Sequence, residues 1–300
     1  MRKIFFSISC LLCVGGFVYG QQAYKISQFS QHNFLYNSGA AGAADQASVG
    51  LAYRSQWSGI DGGPKTAIGF GDMYFEKPNL GTALVLDNDK TGPTSRTGGQ
   101  LNISYALDFT PEKRLQFGLG VDVLQYKIDL GKLGSYIPND PLLASSGSVT
   151  KADAAFGVYY RSPTFSGGIS VQNLLQTKLG LIKTSTTTTD GRLYRHYYVM
   201  ANYRIVVDDK SVLTPNAMIR YLPNAPVEYE AGVRYEYDDV ISFGFDWVYR
   251  QLFSMQAGVK IAHQFSIGYA YELYNTPISQ FSEGGNAHEL FLRYYFKKKK

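Results

Sequence analysis

The side chains that could do chemistry are few and scattered. Four histidines, His32, His196, His263 and His288, lie on separate segments, with none of the short spacings that bring two imidazoles to one metal. Glu228 and Glu230 come nearest to a catalytic carboxylate pair, but acids two apart on one face follow from strand geometry alone. A nucleophile needs a base within hydrogen-bond reach, and the sequence around His196 and His288 nominates no such partner. Asp87-Asn88-Asp89-Lys90-Thr91-Gly92 superficially resembles a calcium-binding loop, yet lacks the full ligand series and the terminal bidentate Glu. It reads as a glycine-punctuated surface turn, and Thr184 to Thr189 reads as a solvated loop. No catalytic residue, metal site or cofactor is expected.

The elements that would position such groups begin with an export signal. Arg2 and Lys3 precede an apolar run from Ile4 to Val18, and Gly20 ends it before Gln21 and Gln22, the pattern of a secretory signal peptide over residues 1–20. The run is too short to span a membrane stably. Cys10 and Cys13 lie inside it, so the mature chain is expected to carry no disulfide or thiolate site. The residues before Cys13 lack the small pair of a lipoprotein site.

Composition fits export to a membrane. Hydrophobic residues make up 45%, but no later apolar run is long enough for a spanning helix, so any insertion must use strands. The 24 Tyr, 18 Phe and 31 Gly suit interfacial girdles, tight turns and a crowded barrel interior. Two units of the net charge of +5 leave with Arg2 and Lys3, and Lys297 to Lys300 outweigh the rest. The basic balance is a tail effect with no nucleic-acid footprint.

Past an irregular leader over residues 21–46, alternation sets in at once. Ala47, Val49, Leu51, Tyr53 and Trp57 oppose Ser48, Gly50, Arg54 and Gln56. Leu101 to Phe109 and Ile241 to Tyr249 repeat the pattern, and Val227 to Tyr235 opposes Glu228, Glu230, Arg234 and Glu236. Polar faces this charged do not suit a dry core, but they suit the lumen of a membrane barrel, which then has no separate hydrophobic core. Leu115 to Val123 is apolar at odd positions and Leu124 to Leu130 at even ones, which predicts a β-bulge near Val123 and Leu124. In the last strand Leu290, Leu292, Tyr294 and Phe296 share the lipid face, and Ala287, Glu289, Phe291 and Arg293 the inner one.

Every second connector is tight, from Glu76–Pro78 to Ala262–His263, whereas those between are generally longer, including Asn88–Thr94, Gly131–Thr150, Leu174–Gly191 and Asn275–Gly285. A β-sandwich has no such two-sided asymmetry. The predicted fold is all-β: a transmembrane antiparallel barrel of about fourteen strands over residues 47–296, with a short N-terminal leader and a basic tail over 297–300.

The motifs carry a family resemblance. Gln28-Phe29-Ser30-Gln31 with Asn37 and Ala40-Ala41-Gly42, then Tyr53-Arg54-Ser55-Gln56-Trp57-Ser58-Gly59-Ile60, resemble the PorP/SprF family. So do the acidic run ending Gly92-Pro93 and the closing Asn286-Ala287-His288-Glu289-Leu290. Family members often have Asp-Pro before Phe-Ser-Gln and Asn-Pro-Ala further on, where this chain has Ile26-Ser27-Gln28 and Asn37-Ser38-Gly39-Ala40. The resemblance implies an outer-membrane component of the Bacteroidetes type IX secretion and gliding machinery, aiding delivery or anchoring of secreted adhesins. Its partners would be outer-membrane lipid, periplasmic secretion components and a secreted cargo or adhesin. The alternative is a porin-like solute channel, and whether residues 21–46 plug the lumen stays open at this point. Candidate partner-binding or structural residues are Phe29, Ser30 and Gln31 in the leader, Arg54, Gln56, Trp57 and Gly59 at the first strand's end, Asp87, Gly92 and Pro93, and His288 and Glu289.

Overall fold

The computed structural model describes residues 25–44, 46–129, 147–180, 182–183, 188–189, 191–275 and 285–297. The expected signal peptide, the Thr184–Thr187 stretch and the loop residues at 131–146 and 276–284 lie outside the described residues.

Alternation produces the barrel, because a period of two presents one apolar face to lipid on every strand. The 14 strands are β1 (Ser48–Gln56), β2 (Lys65–Phe75), β3 (Leu80–Thr91), β4 (Thr94–Thr110), β5 (Lys113–Ile128), β6 (Gly147–Arg161) and β7 (Phe165–Gln172), then β8 (His196–Tyr203), β9 (Ser211–Tyr221), β10 (Glu228–Tyr237), β11 (Ile241–Val248), β12 (Leu252–Ile261), β13 (Phe265–Tyr274) and β14 (Ala287–Tyr295). Each pairs antiparallel with its neighbours, and a short piece, Ile205–Val206, continues the β8–β9 hairpin. The wall closes where β1 meets β14, from Ser48 opposite Tyr295 to Gln56 opposite Ala287. Closure leaves no unpaired edge for hydrocarbon to desolvate. Among the described residues no helix is long and apolar enough to cross a membrane.

Val49, Leu51, Tyr53, Leu119, Val121, Phe243 and Phe245 are exposed on the outer wall, while Ser48, Arg54, Asp122 and Asp246 are buried inside. The connectors at 76–79, 111–112, 162–164, 238–240 and 262–264 share one end with Phe296, and short turns mark the periplasmic end of such barrels.

Two sequence expectations fail here. No bulge lies at Val123 and Leu124: β5 keeps register with both neighbours, and the irregularity is in β4, between Asp108 and Thr110. The phase of apolar residues inverts for another reason. β4 has 17 residues, roughly 55 Å at 3.3 Å per residue, about twice the apolar band of a membrane barrel. Past the membrane the outer face turns polar, at Gln125 and Lys127, and the apolar residues turn inward: Leu124, Tyr126 and Val149 pack with Leu179 and Leu193. For the same reason the acidic run is no loop. β3 carries Asp87 to Thr91 straight into a turn made of Gly92 and Pro93 alone.

The third correction concerns the core, because the barrel has one. The leader folds into three short 3-10 turns, Phe29–Gln31, Asn33–Leu35 and Ser38–Ala40, and occupies the lumen. Ile26, Phe29, Phe34, Leu35, Tyr36, Ala40 and Ala41 pack against inward-facing Ala52, Ile68, Phe70, Tyr159, Tyr198, Met200 and Phe291. A lumen lined by charged strands thus encloses an apolar cluster supplied by a segment with no sequence period.

Candidate functional site

The site is the junction between leader and wall, which has two unlike sides. Along β2 to β7 the leader's main chain lies close against the wall's, and the hydrogen bonds between them join main-chain groups to side chains. Asn37 is fully buried; its side chain accepts from Gly39 N at 2.8 Å and donates to Val158 O and Ile169 O at 3.1 and 3.3 Å. Ala41 O accepts from Ser104 Oγ at 2.7 Å and Gln116 Nε2 at 3.0 Å, and Gly42 N donates to Asp72 Oδ1 at 2.6 Å. These partners satisfy main-chain groups that no strand or helix pairs. The approach is close enough to require glycine in the wall. A Cβ on Gly81 would lie 1.9 Å from Ala41 O, and one on Gly118 2.2 Å from Ser38 O.

Along β9 to β14 and β1 the contact is ionic. Lys25 Nζ lies 3.2 Å from Glu228 Oε1 and 3.7 Å from Glu230 Oε2, and Arg220 Nη1 reaches the same Glu228 oxygen at 3.3 Å. Ser27 N donates to Glu289 Oε2 at 2.8 Å, and its hydroxyl donates to Glu272 Oε1 at 2.7 Å. Arg54 balances these acids. It donates through Nη2 to Glu272 Oε2 at 2.5 Å and Tyr274 OH at 2.7 Å, and through Nη1 to Gln56 Oε1 at 2.6 Å. Nearer the periplasm, Arg293 binds Ser48 Oγ through two nitrogens and Gln31 O at 3.1 Å.

These contacts fix the leader's direction. Lys25 meets Glu228, the first residue of β10 and next to the extracellular 222–227 connector, whereas Gly42 sits by Asp72 and Gly81 near the periplasmic turn at 76–79. The leader therefore runs from the outer half of the lumen down to the periplasmic end, where β1 begins. Phe34, Phe70, Phe291 and His32 form an aromatic nest at mid-lumen, with His32 and Phe291 ring centroids 4.5 Å apart. His32 is completely buried, and its Nε2 has no hydrogen-bond partner.

Of the residues singled out from sequence, the structure brings Arg54, Gln56 and Glu289 into one network, with Phe29 and Gln31 seated elsewhere in the same junction. Ser30 lines a cavity at the periplasmic mouth. Trp57 takes a positive φ of 52°, which takes it out of the alternation, and its ring lies edge-on to Tyr274 with centroids 6.4 Å apart. Gly59 is exposed in the 57–64 loop. That loop is tied to the Gly92-Pro93 turn by Gly92 N donating to Gly62 O at 2.8 Å. Asp87 stands apart, buried beside Arg96 at 3.6 Å. His288 points away from the junction and bonds Tyr269 OH on the outer wall at 2.6 Å. Sequence reasoning passed over Lys25, Asp72 and Tyr274, and left Ser27 as a departure from a motif. Glu272 sits between Tyr271 and Leu273, on the polar face that alternation gives its strand; the others carry no local signal.

A family model for the type IX secretion system membrane protein PorP/SprF matches residues 18–294. The protein belongs to the PorP/SprF family of secretion-system membrane barrels. It is an outer-membrane protein. A comparison with curated proteins finds no match. Among solved structures the chain is similar to the CymD monoaromatic hydrocarbon channel, at 10% identity and a TM-score of 0.50, with 94% of this chain and 96% of that one covered. It is equally similar to a FadL homologue of Pseudomonas aeruginosa, at 11% identity and a TM-score of 0.50 over 87% and 93%. Omp33 of Acinetobacter baumannii follows at 9% and 0.48, over 84% and 98%. At such identities the likeness shows the fold, that of outer-membrane barrels.

Proposed function

We propose that this chain is a plugged outer-membrane barrel of type IX secretion that holds a secreted cargo or adhesin at its extracellular loops and couples to periplasmic components of the machinery. Family membership supports the secretion role. The observation that carries docking over solute passage is the leader: its apolar residues and the facing wall are buried together in the lumen, with Phe29, His32 and Asn37 at 1% exposure or less. A segment held by hydrogen bonds on both sides and by ion pairs on one is a fixture of the barrel. Arg54, Gln56, Trp57 and Glu289 then serve to brace the leader and the first loop, which presents Gly59 and is tied through Gly62 to the Gly92-Pro93 turn.

Deleting the gene should abolish surface display of one or more type IX cargoes without changing general solute permeability. Normal display of every cargo would sink the proposal. The channel alternative predicts a large steady conductance from the purified barrel in a planar bilayer; the docking reading predicts a closed wild type and conductance only after residues 25–44 are removed. Trp57→Ala, read for barrel abundance and cargo display together, separates bracing from docking: joint loss means a folding role, loss of display alone a contact role.

A further inference from the structure

Beyond Arg293 and Asp72, which bond Gln31 O and Gly42 N of the leader, further charged groups line the periplasmic mouth. A cavity of about 510 Å³ opens there, floored by Ser30, Gln31 and Asn33 of the leader and walled by the ends of β6 to β10 and β14. The volume is in the range of sites that bind ligands. Four guanidinium groups line it, from Arg161, Arg204, Arg234 and Arg293, against two carboxylates, Asp72 and Glu236. Glu236 is taken up by Arg234 on its own strand, at 3.1 Å. Arg293 is 5% exposed, yet every hydrogen bond it makes goes to a neutral acceptor, Ser48 Oγ or Gln31 O. Asp72 lies within electrostatic range of Arg293 but makes no ion pair with it, so four guanidiniums face two carboxylates and the mouth keeps a cationic excess that attracts an entering anion.

The neutral groups narrow the chemistry further. Asn33 donates to Ser30 O and Tyr159 OH, which orients its amide and leaves Oδ1 without a partner. Asn202, 7% exposed, likewise has a buried Oδ1 with none. Both oxygens have almost no accessible surface, so a donor reaches them only as the cavity wall shifts around it, and a buried acceptor left unpaired is costly until then. A free carboxylate satisfies the arginines but carries no donor for these amides, and hydrogen phosphate offers one or two O–H groups from a single centre, too few to reach both amides as well as the arginines. A peptide with acidic side chains supplies both, carboxylates for the guanidiniums and main-chain N–H groups for the asparagines.

We propose that the periplasmic mouth is a docking site for an acidic peptide segment of a periplasmic partner. This rests on the coupling half of the proposed function and gives it a location and a chemistry.

The test uses the full-length mature barrel in lipid nanodiscs, with fluorescein-labelled hexaglutamate as probe and its anisotropy as readout. Saturable binding is expected, weakening steeply with salt, with no binding of labelled hexalysine. Arg204 lies outside the strands, so Arg204→Gln should leave the barrel intact, checked by its heat-modifiable mobility on gels. Arg204→Gln with Arg234→Gln should weaken hexaglutamate binding at least tenfold. Asn202→Ala, which changes no charge, should weaken it threefold or more. Absence of saturable binding, binding indifferent to these variants, or displacement by equimolar inorganic phosphate would each overturn the peptide site. The same double variant in cells keeps the two proposals apart. If it loses hexaglutamate yet displays cargo normally, the peptide site stands and the coupling reading falls; if the wild type never binds the peptide while gene deletion still abolishes display, the reverse holds.

Discussion

The two sides of the lumen hold the same leader by opposite means. On the β2–β7 side the fit is steric: main chain lies on main chain, glycines make the room, and Asn37, Ala41 and Gly42 find their partners in wall carbonyls and short polar side chains. On the β9–β14 side the fit is electrostatic: four acids from three strands converge on Lys25, Ser27 and Arg54. Shape fixes where the leader lies, and charge makes removal of either partner expensive. A steric wall tolerates no added atom, whereas an ionic wall tolerates no missing one.

The sharpest way to break this contrast is Arg54→Ala. It leaves Glu272 and Glu289 buried without their cation, and losing one member of a buried pair costs about 3–5 kcal/mol. The expected result is early loss of the leader from the lumen in denaturant titrations, read by its protease sensitivity. Replacing Arg54 and Glu272 together by leucine should recover much of that loss, since an apolar pair of similar volume removes the unpaired charge. The steric side comes next. Gly118→Ala sets a methyl group against Ser38, and overpacking of this kind costs about 1–3 kcal/mol. Should Gly118→Ala and Gly81→Ala both prove silent in the same titration, the steric half of the comparison is wrong. Lys25→Met is expected to be milder, about 1.5 kcal/mol, the low end for a hydrogen bond between charged groups, because Arg220 continues to hold Glu228.

The smallest effect lies outside the lumen, at the periplasmic turn where Asp239 faces Lys260 Nζ at 2.5 Å and His263 Nδ1 at 3.3 Å. Partial burial pushes the Asp239 carboxyl up, but the hydrogen bond and charge of Lys260, with His263, outweigh it and hold the carboxyl below its ordinary value of 3.8. Its contribution is therefore full above that value and is lost as pH falls through the depressed one. Asp239→Asn should shift the thermal unfolding midpoint only slightly at neutral pH, as befits an exposed pair worth about 0.2–1 kcal/mol. The difference from wild type should vanish in strong acid.

Local period made the wall legible. Val49-Leu51-Tyr53 and Leu290-Leu292-Tyr294 announce their lipid faces, and Glu228, Glu230 and Glu289 their inner ones, because lipid enforces a strict apolar alternation. The same rule misled wherever lipid stops. Leu124 and Tyr126 lie past the membrane, so their change of phase reflects a change of surroundings with the strand unbroken. Asp87 to Thr91 read as a loop because an inward Asp and outward Asn and Lys look like a turn when the membrane is assumed to end before them. The leader was not legible at all. Phe29, Phe34 and Tyr36 show no period, since their seats are set by contacts with residues far along the chain, such as Tyr159, Tyr198 and Phe291.

That remoteness bears on how the molecule is built. Ser27 hydrogen-bonds Glu289 across 262 residues of sequence, so the first part of the chain cannot take its final seat until the last strand has arrived. The Lys25 end of the leader also lies toward the outer side of a closed ring, a position reached only by threading or by being enclosed as the β1–β14 seam zips shut. Enclosure is the route of lower entropic cost, because long-range closure is then met once for wall and leader together. Insertion of the barrel and setting of its plug become a single late event, governed by the strand that closes the ring.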